Sequence, residues 1–218
     1  MRVDIIIAGG VVAGGVVGLI VAATRKRRKG TTPSRTVEEI AASYCPVQPG
    51  ENPRNACKVA FEDRRQAHLV GGLVAAQMGL SAEAGAVVMS HMATQQLWGV
   101  YWHNWHGHGV GTADVPFFYT VEKTSTGARG RLRAYDTFQA GWQAFFARIG
   151  LANVAWIRTI RPGTFRGAAD IESMVDRLQD AHFYGPKGRG ARWIAKRKSD
   201  AVYHARKYCE YNEIAWPG

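Results

Sequence analysis

One stretch, residues 81–136, limits the fold of this chain more than any other part. It opens with Ser81, a residue type that caps helix N-termini, and continues as an apolar run. Trp98 and Gly99 then break the run. The stretch therefore predicts a buried helix that ends near Gln95, with that side chain at the mouth of any cavity behind it. The positions that recur on one helical face are Gly85, Val88, Met92 and Gln95.

The segment behind this predicted helix changes to loop chemistry and then to a hairpin pattern. Residues 100–119 are rich in histidine, glycine and aromatic side chains. Residues 117–122 alternate as a strand does, residues 130–135 form a second arm, and the residues between them suit a turn. Such a hairpin would hold Glu122 over a cleft.

The order of these pieces resembles the glucosaminidase family of peptidoglycan hydrolases, a lysozyme-like group that includes flagellar muramidase domains. The resemblance covers residues 60–185 and implies a mainly α, lysozyme-like α+β fold with a small β-hairpin. It also implies cleavage of peptidoglycan glycan strands, in the manner of an N-acetylglucosaminidase or a muramidase. The matching pieces are Trp98-Gly99, Asn104-Trp105-His106-Gly107, Thr120-Val121-Glu122, Leu132-Arg133-Ala134-Tyr135-Asp136-Thr137 and His182-Phe183-Tyr184.

The chain departs from the family pattern at the catalytic glutamate. Counting back from Trp98, that position holds Gln95, and neither flanking residue is acidic. An amide cannot protonate the leaving oxygen, and a missing general acid commonly lowers the rate by about 10²- to 10⁴-fold. Glu122 matches the second carboxylate of the family. Three alternatives follow: Glu83 or Glu122 has taken over as the acid, Gln95 marks an inactivated enzyme, or the domain binds glycan without cleaving it.

Aromatic and polar side chains in the same stretch are the candidate glycan contacts. Aromatic faces stack on sugar rings, and amide and hydroxyl groups bond to sugar hydroxyl and acetamido groups. For each aromatic residue the alternative is packing in the core. The predicted substrate-binding set is Trp102, Asn104, Trp105, His106, Gly107, Tyr119, Thr120 and Tyr135.

Metals and nucleic acid are not predicted as main ligands. His103, His106 and His108 lie close together, but no cysteine or acid joins them locally, so neither a metal nor another cofactor is indicated. The net charge of +11 favours polyanions in general, including teichoic acids and anionic lipids. The chain lacks zinc-finger spacing, an RNA-binding aromatic signature and a phosphate-cradling glycine loop.

Residues 5–24 form an uncharged run that predicts a single transmembrane helix. A helix of this length crosses a hydrocarbon core of about 30 Å. Gly10, Gly14 and Gly18 are spaced four apart, which permits two membrane helices to associate, although glycine as a tolerated filler is the alternative. A cleaved signal peptide is disfavoured because the run continues into charged residues without a clean cleavage site.

The predicted topology contains a conflict. Basic residues 25–29 follow the apolar run, and the positive-inside rule places such a cluster, with the domain behind it, in the cytoplasm or inside a virion. Peptidoglycan lies outside the cytoplasmic membrane, so the substrate argues for an extracytoplasmic domain. In composition the run resembles the releasable anchors of some phage endolysins. The alternative function is an inactive peptidoglycan-binding or structural membrane protein of a cell envelope or virion.

The predicted organisation has four parts. These are a membrane anchor with its basic cluster at 1–29, a linker at 30–56, the lysozyme-like domain at 57–185 and a basic extension at 186–218. Cys45 and Cys57 bracket a loop and would close it with a disulfide in an oxidising compartment, which leaves Cys209 over.

Overall fold

Seven helices and four short strands make up the part of the chain that the computed structural model describes. That part is residues 35–53, 55–91, 99–110, 115–123, 127–185 and 188–218, with the backbone alone for 121–123. The mainly helical architecture with a small hairpin confirms the predicted secondary-structure class. The elements are α1 (Val37–Ala41), β1 (Lys58–Ala60), α2 (Arg64–Gln77), α3 (Ala82–Met89), β2 (Gly99–Tyr101), β3 (Phe117–Lys123), β4 (Arg129–Arg133), α4 (Phe138–Ile149), α5 (Leu151–Thr159), α6 (Ala168–Asp180) and α7 (Ala191–Tyr211).

Side-chain caps start helices α3 and α4. The Ser81 hydroxyl accepts a hydrogen bond from the Ala84 N–H at 3.1 Å and donates one to the Ile160 carbonyl at 2.6 Å. Thr137 caps α4 by accepting from the Ala140 N–H at 3.1 Å. The predicted helix start at Ser81 is therefore confirmed, and Ser81 also ties that start to the end of α5.

Helix α3 ends at Met89, before the predicted end at Gln95. The Ser90 hydroxyl donates to the Val87 carbonyl at 2.6 Å, a local bond that competes with helical hydrogen bonding. The next residue, His91, donates its N–H to Val88 in a tighter turn. Gln95 itself lies outside the described residues.

The core is built around α3. This helix contacts α2, α5, α6 and α7, and every residue from Ala84 to Met89 is buried. Gly85 allows the closest approach, because a Cβ at this position would collide with the Tyr208 hydroxyl and with Ala75. A helix that is apolar on all sides is expected at the centre of a domain.

Helix α7 belongs to the same core. It packs against α2, α3 and α6 and buries Ala201, Ala205, Tyr208 and Cys209. The region predicted as a basic extension therefore supplies apolar side chains to the domain interior, while charged residues such as Lys196 lie outside.

Two antiparallel strand pairs flank the helices. In the first, Val59 of β1 lies opposite Val100 of β2. In the second, Phe118 of β3 lies opposite Leu132 of β4, and the register shifts between Tyr119 and Lys123. The predicted hairpin is thus confirmed, with β4 ending at Arg133.

A disulfide joins Cys45 to Cys57, with their Cα atoms 5.9 Å apart. This is the pairing that the sequence left conditional on an oxidising compartment. The bond ties the segment after α1 to the start of β1, while Cys209 is a free thiol buried in the core. Part of the predicted linker is thereby fixed to the domain.

None of the helices in the described ranges is long and apolar enough to span a membrane. The predicted span at residues 5–24, with Gly10, Gly14, Gly18 and the basic cluster after it, lies outside those ranges.

Candidate functional site

The loop after β2 starts with two residues in the left-handed region. Trp102 has a φ of 49° and His103 a φ of 53°, a conformation that costs a residue other than glycine about 1–3 kcal/mol. Two backbone hydrogen bonds hold the loop there: the Trp102 N–H donates to the Cys57 carbonyl at 2.8 Å, and the Trp102 carbonyl accepts from the Tyr135 N–H at 2.9 Å. The strain is therefore offset by contacts with β1 and with the segment after β4.

The His103 side chain is buried and fixed at both ring nitrogens. Its Nδ1 donates to the Tyr135 carbonyl at 2.9 Å, which leaves Nε2 to accept from the Ser43 hydroxyl at 3.2 Å. The Cys45 sulfur lies 3.6 Å from the same Nε2. Burial lowers the pKa of His103, although the hydrogen bond to Tyr135 opposes that shift. A neutral imidazole thus connects the loop to the disulfide segment.

Asn104 organises the turn that follows. Its buried side-chain amide donates to the His108 carbonyl at 2.9 Å and to the Arg133 carbonyl at 2.8 Å. Its amide oxygen accepts from the His108 N–H at 2.8 Å. Asn104 therefore uses its hydrogen-bonding groups inside the protein, closing the loop onto the end of β4, and does not offer them to a ligand.

His108 and Tyr135 form a second link between the same two segments. The His108 Nδ1 and the Tyr135 hydroxyl are 2.7 Å apart. Burial, Arg133 and Arg148 lower the pKa of His108 to about 4, and burial raises the pKa of Tyr135 to about 12. Both groups are consequently neutral near pH 7.

A recess of about 380 Å³ opens beside this pair. Two guanidinium groups and one imidazole face it, together with one aromatic ring. We refer to it as the arginine recess. Its walls are Gly107, His108, Gly109, Arg133, Arg148 and Phe183.

A second recess, of about 470 Å³, also has Tyr135 in its wall. Asp136 contributes a carboxylate and Tyr44 an aromatic ring whose side chain is largely exposed. The sequence did not single out Tyr44, because it falls in the predicted linker. We refer to this space as the Asp136 recess. Its remaining walls are Pro46, Val47, Pro116, Ala134 and Ala140.

Two predicted sugar-stacking residues, Trp102 and Trp105, lie in the core instead. They are 3% and 1% exposed, respectively. The Trp105 ring packs 5.4 Å from Phe61 and 5.0 Å from Phe138, measured between ring centroids. Neither indole presents a face to solvent, so in this structure neither is available to stack on a sugar. The core-packing alternative describes both residues.

His106 is buried as well. Its ring stacks on Phe145 at 4.2 Å, and neither ring nitrogen has a hydrogen-bond partner. Burial lowers the pKa of His106 to about 3. This side chain therefore packs as a neutral aromatic ring and does not reach a ligand. Across the described ranges, no three histidine, cysteine or acidic side chains cluster as metal ligands would.

Three members of the predicted binding set stay near the surface in addition to Tyr135. Gly107 is exposed, and Tyr119 and Thr120 are half-buried on β3. The Thr120 hydroxyl accepts from the Gly130 N–H at 2.9 Å across the hairpin. These positions keep the polar and aromatic surface that a glycan would need.

The candidate catalytic carboxylates are only partly placed. Glu122 lies in β3, but its side chain is outside the described part, as is Gln95 altogether. Glu83 faces α7, where burial first and the Glu83 carboxylate second raise the pKa of Cys209. The pKa of Tyr208 is raised by burial, then by Cys209 and then by Glu83. Glu83 lines neither recess.

Comparison with known proteins gives limited similarity. No family model matches the chain, and no curated protein matches it. Among solved structures, it is similar to the glycoside hydrolase domain of FlgJ from Salmonella typhimurium, with 15% identity over 69% of this chain and 93% of that one. The TM-score is 0.40, and neither activity nor substrate is transferred from this match.

Proposed function

We propose that the chain is a peptidoglycan glycan-strand hydrolase of the N-acetylglucosaminidase or muramidase type, held at a membrane through residues 5–24. The supporting observation is that distant pieces of the motif meet in one place. Asn104 bonds to the Arg133 carbonyl, and His108 bonds to the Tyr135 hydroxyl. The hairpin that carries Glu122 ends at this junction.

The chemistry assigned to this site needs two groups. A general acid protonates the leaving oxygen, and a carboxylate or the 2-acetamido group of the substrate meets the positive charge at the sugar ring. Glu122 is assigned the carboxylate role. Among the described residues that line the two recesses, Asp136 is the one carboxylate, so it joins Glu122 as a candidate for the acid that Gln95 cannot supply, whereas Glu83 lines neither recess.

A second candidate function is peptidoglycan binding without cleavage. Gln95 favours this function, because a glutamine amide can form hydrogen bonds to a sugar but cannot donate the proton that a glutamic acid would supply. In this case the domain is a binding or structural part of a cell envelope or virion.

The disulfide supports an extracytoplasmic placement for either function. Disulfides persist in oxidising compartments and are rare in the cytosol. Cys45–Cys57 thus favours the side of the membrane on which peptidoglycan lies, against the orientation given by the basic cluster at 25–29.

The test uses the full-length chain and purified peptidoglycan, with loss of turbidity and released reducing ends as readouts. Gln95→Glu, Glu122→Gln and Asp136→Asn are compared with the unaltered protein. Glu172→Gln, on the exposed side of α6, is the matched control. A hydrolase loses activity with Glu122→Gln and keeps it with the control.

The outcomes separate the two functions. If activity appears only in Gln95→Glu, the natural protein is an inactivated enzyme that holds its substrate. If Asp136→Asn abolishes an existing activity, Asp136 is the acid. No activity in any variant, together with no sedimentation with peptidoglycan, would refute both functions.

A further inference from the structure

The described walls of the arginine recess contain no carboxylate, so none of them is a candidate for the acid or the carboxylate of the proposed reaction. Arg133 enters it from the end of β4 and Arg148 from the last turn of α4. His108 enters it from the loop after β2, and Phe183 adds an apolar surface. The recess therefore concentrates positive charge next to the candidate glycan site.

The two guanidinium groups are not neutralised by the described part of the protein. The ion pairs formed within the described ranges use Arg166, Lys196, Lys198 and Lys207, and none involves Arg133 or Arg148. The two arginines also lower the pKa of His108. A ligand entering this space meets a positive potential without a counter-charge from these walls.

Arg133 also carries a buried donor that has nothing to bond. Its Nε is shielded from solvent and has no hydrogen-bond partner. Leaving a buried donor unsatisfied costs about 1–3 kcal/mol, and more for a charged group. Such a group in a native structure calls for an explanation, for which an ordered water or an ion is one candidate.

The geometry of the recess is set before any ligand arrives. The Arg133 N–H donates to the His108 carbonyl at 2.8 Å, and its carbonyl accepts from Asn104 at 2.8 Å. The Arg148 guanidinium donates to the His182 carbonyl at 3.3 Å. The backbone of Arg133 and the guanidinium of Arg148 are therefore anchored, so less freedom of the Arg148 side chain is lost when it binds a ligand.

We propose that the arginine recess binds an oxyanion, either a carboxylate or a phosphate, carried by a larger ligand. Arginine side chains bind both groups through paired, charge-assisted hydrogen bonds. A volume of about 380 Å³ exceeds what one such group fills, so the recess also receives the atoms that bear it, with Phe183 against their apolar part. The source of the anion rests on the proposed function: peptidoglycan offers the carboxylates of its stem peptides, and anionic wall polymers offer phosphate.

The first experiment tests the site without reference to peptidoglycan. Inorganic phosphate is titrated into the full-length protein at constant ionic strength, and the NMR signals of the His108 ring and the Arg133 Nε–H are followed. We expect a saturable shift of both signals. The dissociation constant should rise at least tenfold in Arg133→Gln and in Arg148→Gln, and it should not change in Arg158→Gln, an exposed arginine on α5.

Arg148 is exposed, so its variant keeps the fold even if Arg133→Gln does not. A response that is not saturable would overturn the proposal. So would equal affinity in Arg148→Gln and the unaltered protein.

The second experiment identifies the source of the anion by co-sedimentation. The protein is mixed with peptidoglycan freed of wall polymers, with the same material stripped of stem peptides by an amidase, and with a teichoic acid. Preference for intact over stripped peptidoglycan that disappears in Arg148→Gln supports the stem carboxylate. Preference for teichoic acid with the same dependence on Arg148 supports phosphate.

Failure of the two proposals can be told apart. A saturable phosphate titration with no binding to any peptidoglycan would leave the oxyanion site standing and remove the proposed function. Peptidoglycan binding that is unchanged in Arg148→Gln, together with no saturable response to phosphate, would refute the oxyanion site and leave the proposed function standing.

Discussion

Removing the Asn104 side chain should destabilise the protein more than its size suggests. In Asn104→Ala, three internal hydrogen bonds are lost: two to the His108 backbone and one to the Arg133 carbonyl. Each is worth about 0.5–1.5 kcal/mol net, and the groups left behind are shielded from water. The free energy of unfolding should therefore fall by about 3 kcal/mol.

A second substitution separates hydrogen bonding from volume. Asn104→Asp keeps the shape and still accepts from the His108 N–H, but it turns both donated bonds into contacts between oxygen atoms. At neutral pH the loss should be at least as large as in Asn104→Ala. The assay is urea unfolding followed by tryptophan fluorescence, with Asn55→Ala at an exposed position as the control, expected within about 0.5 kcal/mol of the unaltered protein. If Asn104→Ala also stays within that margin, the loop is not held by this residue and the reasoning fails.

Three further predictions concern the same domain. Reducing the Cys45–Cys57 bond, which spans 12 positions, should lower the free energy of unfolding by about 3 kcal/mol on the chain-entropy model. Urea unfolding with and without reductant checks this. In a variant with both cysteines changed to serine, the reductant should leave the free energy of unfolding unchanged. The pKa of His106 is near 3 in the folded state and near 6.5 in the unfolded state, so the unfolded state binds more protons between these pH values. The free energy of unfolding should therefore fall by about 1.4 kcal/mol for each pH unit of acidification in this range. Urea unfolding at pH 4.5–6.5 checks the assignment, because His106→Phe should show a smaller dependence on pH. In Gly141→Ala the new Cβ would lie 2.6 Å from the His103 carbonyl oxygen, so thermal unfolding should show a loss of about 1–3 kcal/mol despite the better helix propensity of alanine; a gain would mean that α4 can move away from the loop.

The elements that the sequence predicted correctly depend on local chemistry. Ser81 caps α3 because a hydroxyl at that position satisfies a free N–H, whatever the rest of the chain does. The alternation in 117–122 likewise predicted a strand, and β3 covers these residues, although the adjacent Phe117 and Phe118 are both buried. These features need no knowledge of distant partners.

The site could be predicted only in part, because burial is decided by partners far along the chain. The polar and glycine residues around Trp105 in the sequence predict a ring that stacks on a sugar. In the fold, Phe61 and Phe138 pack against that ring instead. The reverse holds for Tyr44, which the disulfide segment brings to the wall of the Asp136 recess. The sequence does not mark Arg148, because its place in the wall of the arginine recess depends on where the last turn of α4 meets the loop.

The position of helix α7 determines when the core of the domain can be completed during synthesis. It leaves the ribosome after every other described element, yet Tyr208 and Ala205 fill the space beside α2 and α3. Until it arrives, the nascent chain exposes the apolar surface of its central helix and is a substrate for chaperones. A pathway that moves this polypeptide across a membrane before synthesis ends would therefore transport it unfolded. Cleavage between α6 and α7, with loss of α7, would expose the same apolar surface in the folded protein.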